Sequence, residues 1–389
     1  MQALILKPKE DRRIYNGHLW VFSNEVARHP ANSGPGDVVE VISHRGEVLG
    51  SALYHPHSLI SARLLGRGVT TVDAAFFGER LARALRLRQS LFPNESCYRL
   101  VHGESDDLPG LIVDRFGPDL AVQTLSAGMD VRLPLIVESL RELLAPRSIV
   151  ERNDTALRSY EELPERTGLL WGDAPPEVTI EENQVHYTIN LLSGQKTGFF
   201  LDQKVNRRAA AQFAPGRNVL DCFCNAGGFG LNAARAGAAS VLGVDVSGEM
   251  VEQATANAAL NGFGQTSWVQ ADVFLFLEQA IERGENYDVV ILDPPSFTRN
   301  RKTVPSAKKG YRRLNELACR VLRPEGILVT ASCSFHIFED VFYQIVSEAA
   351  TRASRKLRLL EQRHQAPDHP VLPAMPETRY LKLGIFQVL

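Results

Sequence analysis

Four aspartates stand where they could share one ligand. Asp221, Asp245, Asp272 and Asp293 close the apolar runs NVLDCF, SVLGVDV, TSWVQADV and YDVVILDPP, and a fifth run, GILVTASCS, brings Cys333 to a corresponding end. Short β-rich runs alternating with helical patterns such as LNAARAGA, GEMVEQATANAALNG and FLFLEQAIERG predict a doubly wound parallel sheet. Such sheets bind ligands beyond the carboxyl ends of their strands, so all five groups would face one crevice. Aspartate also caps helices well, which would explain any one of these acids alone. Four in register point instead to a cofactor pocket.

The first run leads into Cys222-Phe223-Cys224-Asn225-Ala226-Gly227-Gly228-Phe229-Gly230 ahead of a helix. Glycines there let backbone approach a ligand and let helix pack tightly on strand. Asp245 follows Asp221 by 24 positions (245 minus 221), close to the roughly 20 at which an acid reads ribose hydroxyls. Asp272, one strand further, would approach an adenine amino group. A nicotinamide cofactor is disfavoured, because the loop reads D-x-F-x-N-x-G-G-F-G rather than G-x-G-x-x-G and no hydride-accepting arrangement follows. The expected cofactor is S-adenosylmethionine and the expected reaction methyl transfer. Cys333, at the same crevice edge as Asp293, suits one acceptor in particular. Cytosine C5 is too weak a nucleophile to take a methyl group until a thiolate has added at C6.

The elements that must position these groups occupy the last part of a 389-residue chain, long enough for two or three cores. Residues 1–72 hold short strands such as GDVVEVIS, VLGSALY and SLISARLL with turns NSGPGD and HRGE between them, predicting a small β-barrel. An amphipathic helix follows over 73–92, with Arg80, Arg83, Arg86 and Arg88 interleaved on what reads as a solvated face. Residues 73–177 then give strands YRLVHGE, LIVDRFG and LAVQTLS, a helix VRLPLIVESLRELLA and a strand SIVERN, a small α+β domain. The Pro- and Gly-rich WGDAPPE marks a boundary, and 178–389 opens with the β pair VTIEEN and VHYTINLL. Hydrophobic residues at 44% and charged residues at 23% exclude disordered and fibrous classes.

No apolar run approaches the roughly 20 residues of a membrane span, and the N-terminal MQALILKPKEDRR does not read as a secretory signal, so a cytoplasmic protein without membrane contact is expected. Five cysteines argue against a disulfide framework, and the lone C-x-C of Cys222 and Cys224 argues against a metal site. A net charge of -2 leaves nucleic-acid binding to local patches. One such patch is RNRKTVPSAKKGYRR over 299–313, with seven Lys or Arg and no acid. Read as a basic loop at the mouth of the pocket, it would hold single-stranded RNA, with Phe297 and Tyr311 stacking on a splayed base. In the barrel, Arg12, Arg13, His18, Arg63 and Arg67 are basic, while the alternating Trp20 and Phe22 read as core rather than as a base platform.

The chain resembles, over essentially its full length, the RlmI-type large-subunit (23S) ribosomal RNA cytosine-5 methyltransferases. The matching stretches are GHLWVFSNEV, GDVVEV, LGSALYHPHSLISARLL, ERNDTALRSYEEL, LLSGQKTGFFLDQKVNRR, DCFCNAGGFG, LDPPSF and SCSFH, with SGQKTGFFLDQ the most specific. The resemblance implies a PUA-like RNA-binding barrel, a central α+β domain and a Rossmann-like catalytic domain. It implies Cys333 as nucleophile at C6 and Asp293 as the group that hydrogen-bonds or protonates N3. It places the cofactor against Asp221, Phe223, Asn225, Gly227, Asp245, Val246, Asp272, Val273 and Asp293, with Lys196 to Asp202, including Thr197, folding over. Ribosomal RNA would meet Phe297, Arg299, Arg301, Lys302, Lys308, Lys309 and Arg312, and a homodimer is one assembly open to the chain. Ser296 stands where RNA cytosine-5 methyltransferases often carry a second, product-releasing cysteine. The RlmI type shares that lack, which leaves the C5 proton acceptor open, with His336 as a candidate base. Two other readings stay open: an amino-group methyltransferase acting on an RNA base, in which no covalent cysteine is needed, and an RNA-binding assembly factor that only senses the cofactor.

Overall fold

The computed structural model describes residues 2–389 apart from 69, 174, 176, 195 and 299. The chain divides into two compact units: Met1–Ile180 with Ile189–Asp202 and Pro367–Thr378, and Glu181–Thr188 with Gln203–Ala366 and Arg379–Leu389.

The first unit carries two sheets. β1 (Gln2–Leu6), β2 (Trp20–Phe22), β3 (Val26–Arg28), β4 (Val38–Ile42), β5 (Val48–Tyr54) and β6 (Ile60–Gly66), with the short helix α1 (Arg12–Tyr15), form the expected β-rich unit in the order β2-β6-β5-β4-β1-β3. Strand alternation sets its core: Val39 and Val41 of β4 point inward with Leu4, Leu6, Val21, Ala52 and Leu64. The core residue of β2 is thus Val21, whereas Trp20 and Phe22, expected in the core, are half-buried on the other side of the strand.

Helix α2 (Ala74–Leu91) leads to a five-stranded sheet, ordered β11-β10-β9-β8-β7, made of β7 (Cys97–His102), β8 (Leu111–Phe116), β9 (Asp119–Thr124), β10 (Ser148–Arg152) and β11 (Thr167–Gly172). Helices α3 (Ala127–Asp130) and α4 (Leu133–Leu144) precede β10. Arg88 departs from the expected solvated face. It is fully buried and its guanidinium grips both carboxylate oxygens of Asp106, an arrangement that makes a buried charge tolerable. The late segment 367–378 joins this unit: Asp368 accepts from Arg99 N through its carboxylate (2.9 Å) and from Arg88 Nη2 through its carbonyl (2.7 Å).

β12 (Val178–Glu182) and β13 (Val185–Ile189) form a two-stranded sheet. After α5 (Lys204–Ala211) come β14 (Asn218–Cys222), α6 (Gly228–Arg235), β15 (Ser240–Asp245), α7 (Gly248–Leu260), β16 (Thr266–Gln270), α8 (Val273–Glu282), β17 (Tyr287–Leu292), α9 (Val304–Val321), β18 (Leu322–Ser332), α10 (Glu339–Arg352), β19 (Leu357–Arg363) and β20 (Lys382–Val388). Their sheet runs β16-β15-β14-β17-β18-β20-β19. The first five strands are parallel; β20 runs antiparallel beside β18, and β19, antiparallel to β20, returns to the direction of the first five, two additions that the β/α alternation does not announce. Both faces are covered. Val219, Val289, Ile291, Ile327 and Val329 point into one core with the alanines of α5 and α6. Their strand neighbours Leu220, Val290, Leu292 and Leu328 point into the other with Leu277, Leu314 and Phe342. Burial on both sides explains why these strands read as nearly continuous apolar runs.

The expected basic loop over 299–313 is mostly helix. Arg301–Thr303 is a single tight turn, capped by Asn300 Oδ1, and α9 begins at Val304 with Pro305 in its first turn, where a proline costs no hydrogen bond. Ala307, Tyr311, Leu314 and Ala318, spaced three and four apart, bury one face, and the interleaved lysines and arginines masked that period in the sequence. Among the described residues no helix is long and apolar enough to cross a membrane.

Candidate active site

The sheet order brings the predicted acids together in a row along one edge. From β16 through β15 and β14 to β17 and β18, the strand ends carry Asp272, Asp245, Asp221, Asp293 and Cys333. The order reverses at β14, the switch point at which doubly wound sheets open a crevice.

Asp221 is 1% exposed. Its Oδ2 accepts Gly230 N at 2.7 Å, and its Oδ1 is buried with no hydrogen-bond partner among the described residues. Burial pushes its carboxyl up to about 7 against the opposing Gly230 bond, and the neighbouring Asp293 and Asp245 add to the rise. The loop that follows is wound tightly, with Phe223 (φ 61°), Asn225 (φ 50°) and Gly227 (φ 87°) all left-handed. Asn225 N donates to Asp245 Oδ2 at 2.9 Å, tying the first loop to the second strand end, and Asp245 Oδ1 accepts Ser247 N at 3.0 Å. Beneath the loop lies Trp268, which the sequence reading missed. A Cβ on Gly243 would come within 2.1 Å of its ring, and one on Gly230 within 2.9 Å, so glycine there is a packing requirement. The buried Trp268 Nε1 also has no hydrogen-bond partner among the described residues.

Asp272 does cap a helix: its Oδ1 accepts Leu275 N at 3.0 Å, while the carboxylate stays exposed. Val246 is exposed, whereas the side chain of Val273 belongs to the core, leaving only its backbone for a ligand. Cys222 and Cys224 are buried, and burial pushes both thiols up. Thr197 and Asp202 belong to the first unit, where Thr197 donates to Asp114 and Asp202 accepts from Lys196 Nζ at 3.1 Å.

Asp293 leaves β17 directly after Leu292, and its Oδ1 accepts Gln203 Nε2 at 3.0 Å. The amide of Gln203 is itself oriented, because its Oε1 accepts Asn206 Nδ2 at 2.7 Å and Asn206 Oδ1 accepts Arg363 Nε at 3.0 Å. Gln203 lay inside the SGQKTGFFLDQ stretch but was not singled out. Cys333 follows β18, the parallel neighbour of β17. It is half-buried, while Cys97, Cys222, Cys224 and Cys319 are buried. Hydroxyls fix the chain around it: Ser332 Oγ donates to Tyr311 Oη (3.0 Å), which also contacts Ser334 Oγ (2.9 Å), and Ser334 Oγ meets Ser296 Oγ at 3.0 Å. Tyr311 is therefore a fully buried strut and not a surface for a base, contrary to expectation. Phe297 is half-buried against its ring, 4.5 Å between centroids, and His336 is half-buried beside Phe335.

Arg301, Lys302 and Lys309 are exposed and Lys308 is half-buried; Arg299 lies outside the described residues. Arg312 grips Glu348 (2.9 and 2.7 Å) and Arg313 pairs with Glu278 (2.8 Å), so acids from other elements oppose charges that the sequence shows as unopposed. In the β1–β6 unit Arg13 is likewise paired, with Glu25, and so is Arg63. Arg63 bonds Glu104 at 3.0 Å and Glu161 at 2.8 Å, and Trp20 Nε1 donates to Glu104 at 2.8 Å.

Comparison with known proteins agrees with this architecture. Residues 4–67 match the PUA-like domain family and residues 163–383 match the S-adenosylmethionine-dependent methyltransferase family. "Ribosomal RNA large subunit methyltransferase I" of Shewanella frigidimarina is 41% identical over 386 residues, 97% of each chain. The protein of the same name from Photobacterium profundum is 41% identical over 389 residues, 98% of each. The structure of SMU.776, described as a methyltransferase and complexed with SAH, covers the whole of both chains with a TM-score of 0.87 at 22% identity, a likeness of fold. The chain belongs to the ribosomal RNA large subunit methyltransferase I family and is an S-adenosylmethionine-dependent methyltransferase with a PUA-like N-terminal domain.

Proposed function

We propose that the chain methylates C5 of a cytosine in large-subunit ribosomal RNA, with Cys333 as a covalent nucleophile. The observation that carries this reading is the exposure pattern of the cysteines. The one that is not buried sits at the crevice edge, directly after β18, the strand beside the one that ends at Asp293. The residues present also fit the cofactor. The orphaned Asp221 Oδ1 and the left-handed turn from Phe223 to Gly227 make a polar cradle, and Asp245 keeps lone pairs for ribose hydroxyls after accepting two N–H groups. Asp272 and the backbone of Val273 would read the adenine edge. S-adenosylmethionine, when bound, supplies an electrophilic methyl group.

The thiolate of Cys333 adds its electron pair to C6 of the base, and the ring electrons shift toward C5, which takes the methyl group. Asp293, oriented by Gln203 and acting as the carboxylic acid, donates its proton in a hydrogen bond to N3 and stabilises the charge that gathers there. A base, for which His336 is the candidate, takes the C5 proton, and the electrons of that C–H bond re-form the C5–C6 double bond as the C6–S bond breaks and the thiolate leaves. Arg301, Lys302, Lys308 and Lys309, at the start of α9, would neutralise phosphates of the RNA, with Arg312 spent on Glu348. A ribosomal substrate places the work in the cytoplasm. All groups named come from one chain, so the reading asks for no second copy.

The test is Cys333→Ser on the full chain. Transfer to deproteinised ribosomal RNA from a deficient strain, mapped by bisulfite conversion, is expected to fall by at least about 10³-fold, while binding of S-adenosylhomocysteine stays within twofold. Full residual activity would rule out the covalent route and favour an amino-group acceptor. Cofactor binding without transfer by the wild-type chain would favour an assembly factor.

A further inference from the structure

The last strand of the chain ties a buried lysine to the residues on either side of Cys333. β20 lies antiparallel to β18 with Lys382 opposite Ser332, the residue before Cys333. Lys382 is 4% exposed. An ammonium carries three donors, and two of them are used: Nζ donates to Ser334 O at 2.7 Å and to Tyr380 O at 3.0 Å. Ser334 is the residue directly after Cys333, so the lysine is tied to the loop that carries the sulfur. An uncompensated ammonium is costly to bury, and two neutral carbonyls offset only part of that cost.

We propose that Lys382 is the counter-ion that holds Cys333 as a thiolate, a positioning and activating residue for the nucleophile. The proton that leaves the thiol goes to solvent, and the sulfur keeps the electron pair that later attacks C6. The inference rests on the reading of Cys333 as nucleophile.

The charge environment supports the pairing. Burial lowers the lysine to about 8, and the two groups that act against this are Cys333 first and then Glu339. Glu339, at the start of α10, is shared with His364, whose Nε2 lies 2.7 Å from its Oε1. From the strand on the other side, Arg363 is engaged with Glu361 at 2.8 Å, and Tyr343 of α10 donates to Leu383 O at 3.2 Å. Cys333 is therefore the acid whose ionisation would gain most from this lysine. The sign follows: the lysine is charged below about pH 8, so the thiolate is favoured there and the advantage fades as pH rises through that value.

The experiment measures the rate of iodoacetamide alkylation at Cys333 against pH in the full chain, by peptide mass spectrometry. The other four cysteines are buried and provide the slow background. In the wild type the rate should reach half its maximum below the ordinary cysteine value of about 8.5. Lys382→Met should move that midpoint up by one unit or more, slowing alkylation at pH 7 about tenfold, with S-adenosylhomocysteine binding unchanged. Lys382→Gln keeps an N–H donor without the charge and should behave as Met does. A Gln variant with the wild-type midpoint would overturn the proposal, because hydrogen bonding alone would then suffice. If neither variant folds, the reciprocal shift decides: in Cys333→Ser the lysine ammonium, followed by NMR, should titrate at lower pH, and an unmoved titration is fatal to the idea. The two readings fail separately. Methyl transfer by Cys333→Ser would remove the nucleophile itself, whereas an alkylation profile indifferent to Lys382 would remove only its counter-ion.

Discussion

The two halves of the crevice edge are held by different means. On the β14, β15 and β16 side, each acid is fixed by backbone N–H groups: Asp221 by Gly230, Asp245 by Asn225 and Ser247, and Asp272 by Leu275. On the β17, β18 and β20 side the partners are side chains. Gln203 reaches Asp293 across 90 positions, Lys382 reaches Ser334 across 48, and Tyr311 braces Ser332 across 21. Backbone donors are stiff and uncharged, so the first half offers a fixed polar cradle that suits a cofactor with one shape. Side-chain donors can be retuned one at a time, which suits the half that carries the proposed nucleophile and acid. The comparison is open to attack from either side.

The largest effect is expected at Asp221, where the backbone-held half stores a cost. Its carboxyl rises from 3.8 unfolded to about 7 folded. Both states are neutral below 3.8, so nothing is lost there; as pH climbs toward 7 the unfolded chain ionises while the folded one resists, and stability falls. The ceiling is on the order of 4 kcal/mol. Asp221→Asn keeps an oxygen for Gly230 N and removes the ionisation. Urea denaturation of the cofactor-free protein should find this variant more stable at pH 8 by a few kcal/mol, with the gap narrowing toward pH 5. A gap independent of pH would mean that Asp221 is not the buried charge described.

Asp245→Ala comes next. It removes the acceptor of two backbone N–H groups and the proposed ribose contact together, and charged hydrogen bonds of this kind contribute about 1.5–3 kcal/mol. Calorimetry with S-adenosylhomocysteine should show affinity reduced about 100-fold, and Asp245→Asn should fall between the variant and the wild type. A change under threefold would move the cofactor away from this half.

The same division explains what the sequence could reveal. The acids of the backbone-held half were legible because strand, turn and acid follow one another within a few residues, and Asp221 and Asp245 keep the spacing of one βαβ unit. Gln203 and Lys382 carry no such mark. Gln203 acts on an acid four strands later, and Lys382 belongs to an antiparallel strand whose existence the β/α alternation does not announce. Trp268 reads as one more strand aromatic until Gly243 and Gly230 are seen to fit its ring. The segment read as a basic loop failed for a related reason: the acids that answer Arg312 and Arg313 stand on α10 and α8, so charge balance was visible only in three dimensions.

Gln203 offers the finest test of the side-chain-held half. Gln203→Ala should lower kcat about fivefold, since one neutral hydrogen bond contributes about 1 kcal/mol and its loss frees Asp293 to rotate. Cofactor affinity should stay within twofold, because the acids of the other half are untouched. Packing damage alone could also lower kcat, so the discriminating variant is Gln203→Glu. It places a second carboxyl where the amide donor stood, and like charge at hydrogen-bond distance must raise the pKa of the pair. If Asp293 acts by hydrogen-bonding or protonating N3, the pH profile of kcat should move upward in the Glu variant while it keeps its midpoint in the Ala variant. A profile that stays fixed in both would make Gln203 a strut for α5, and Asp293 would then owe its protonation state to other neighbours.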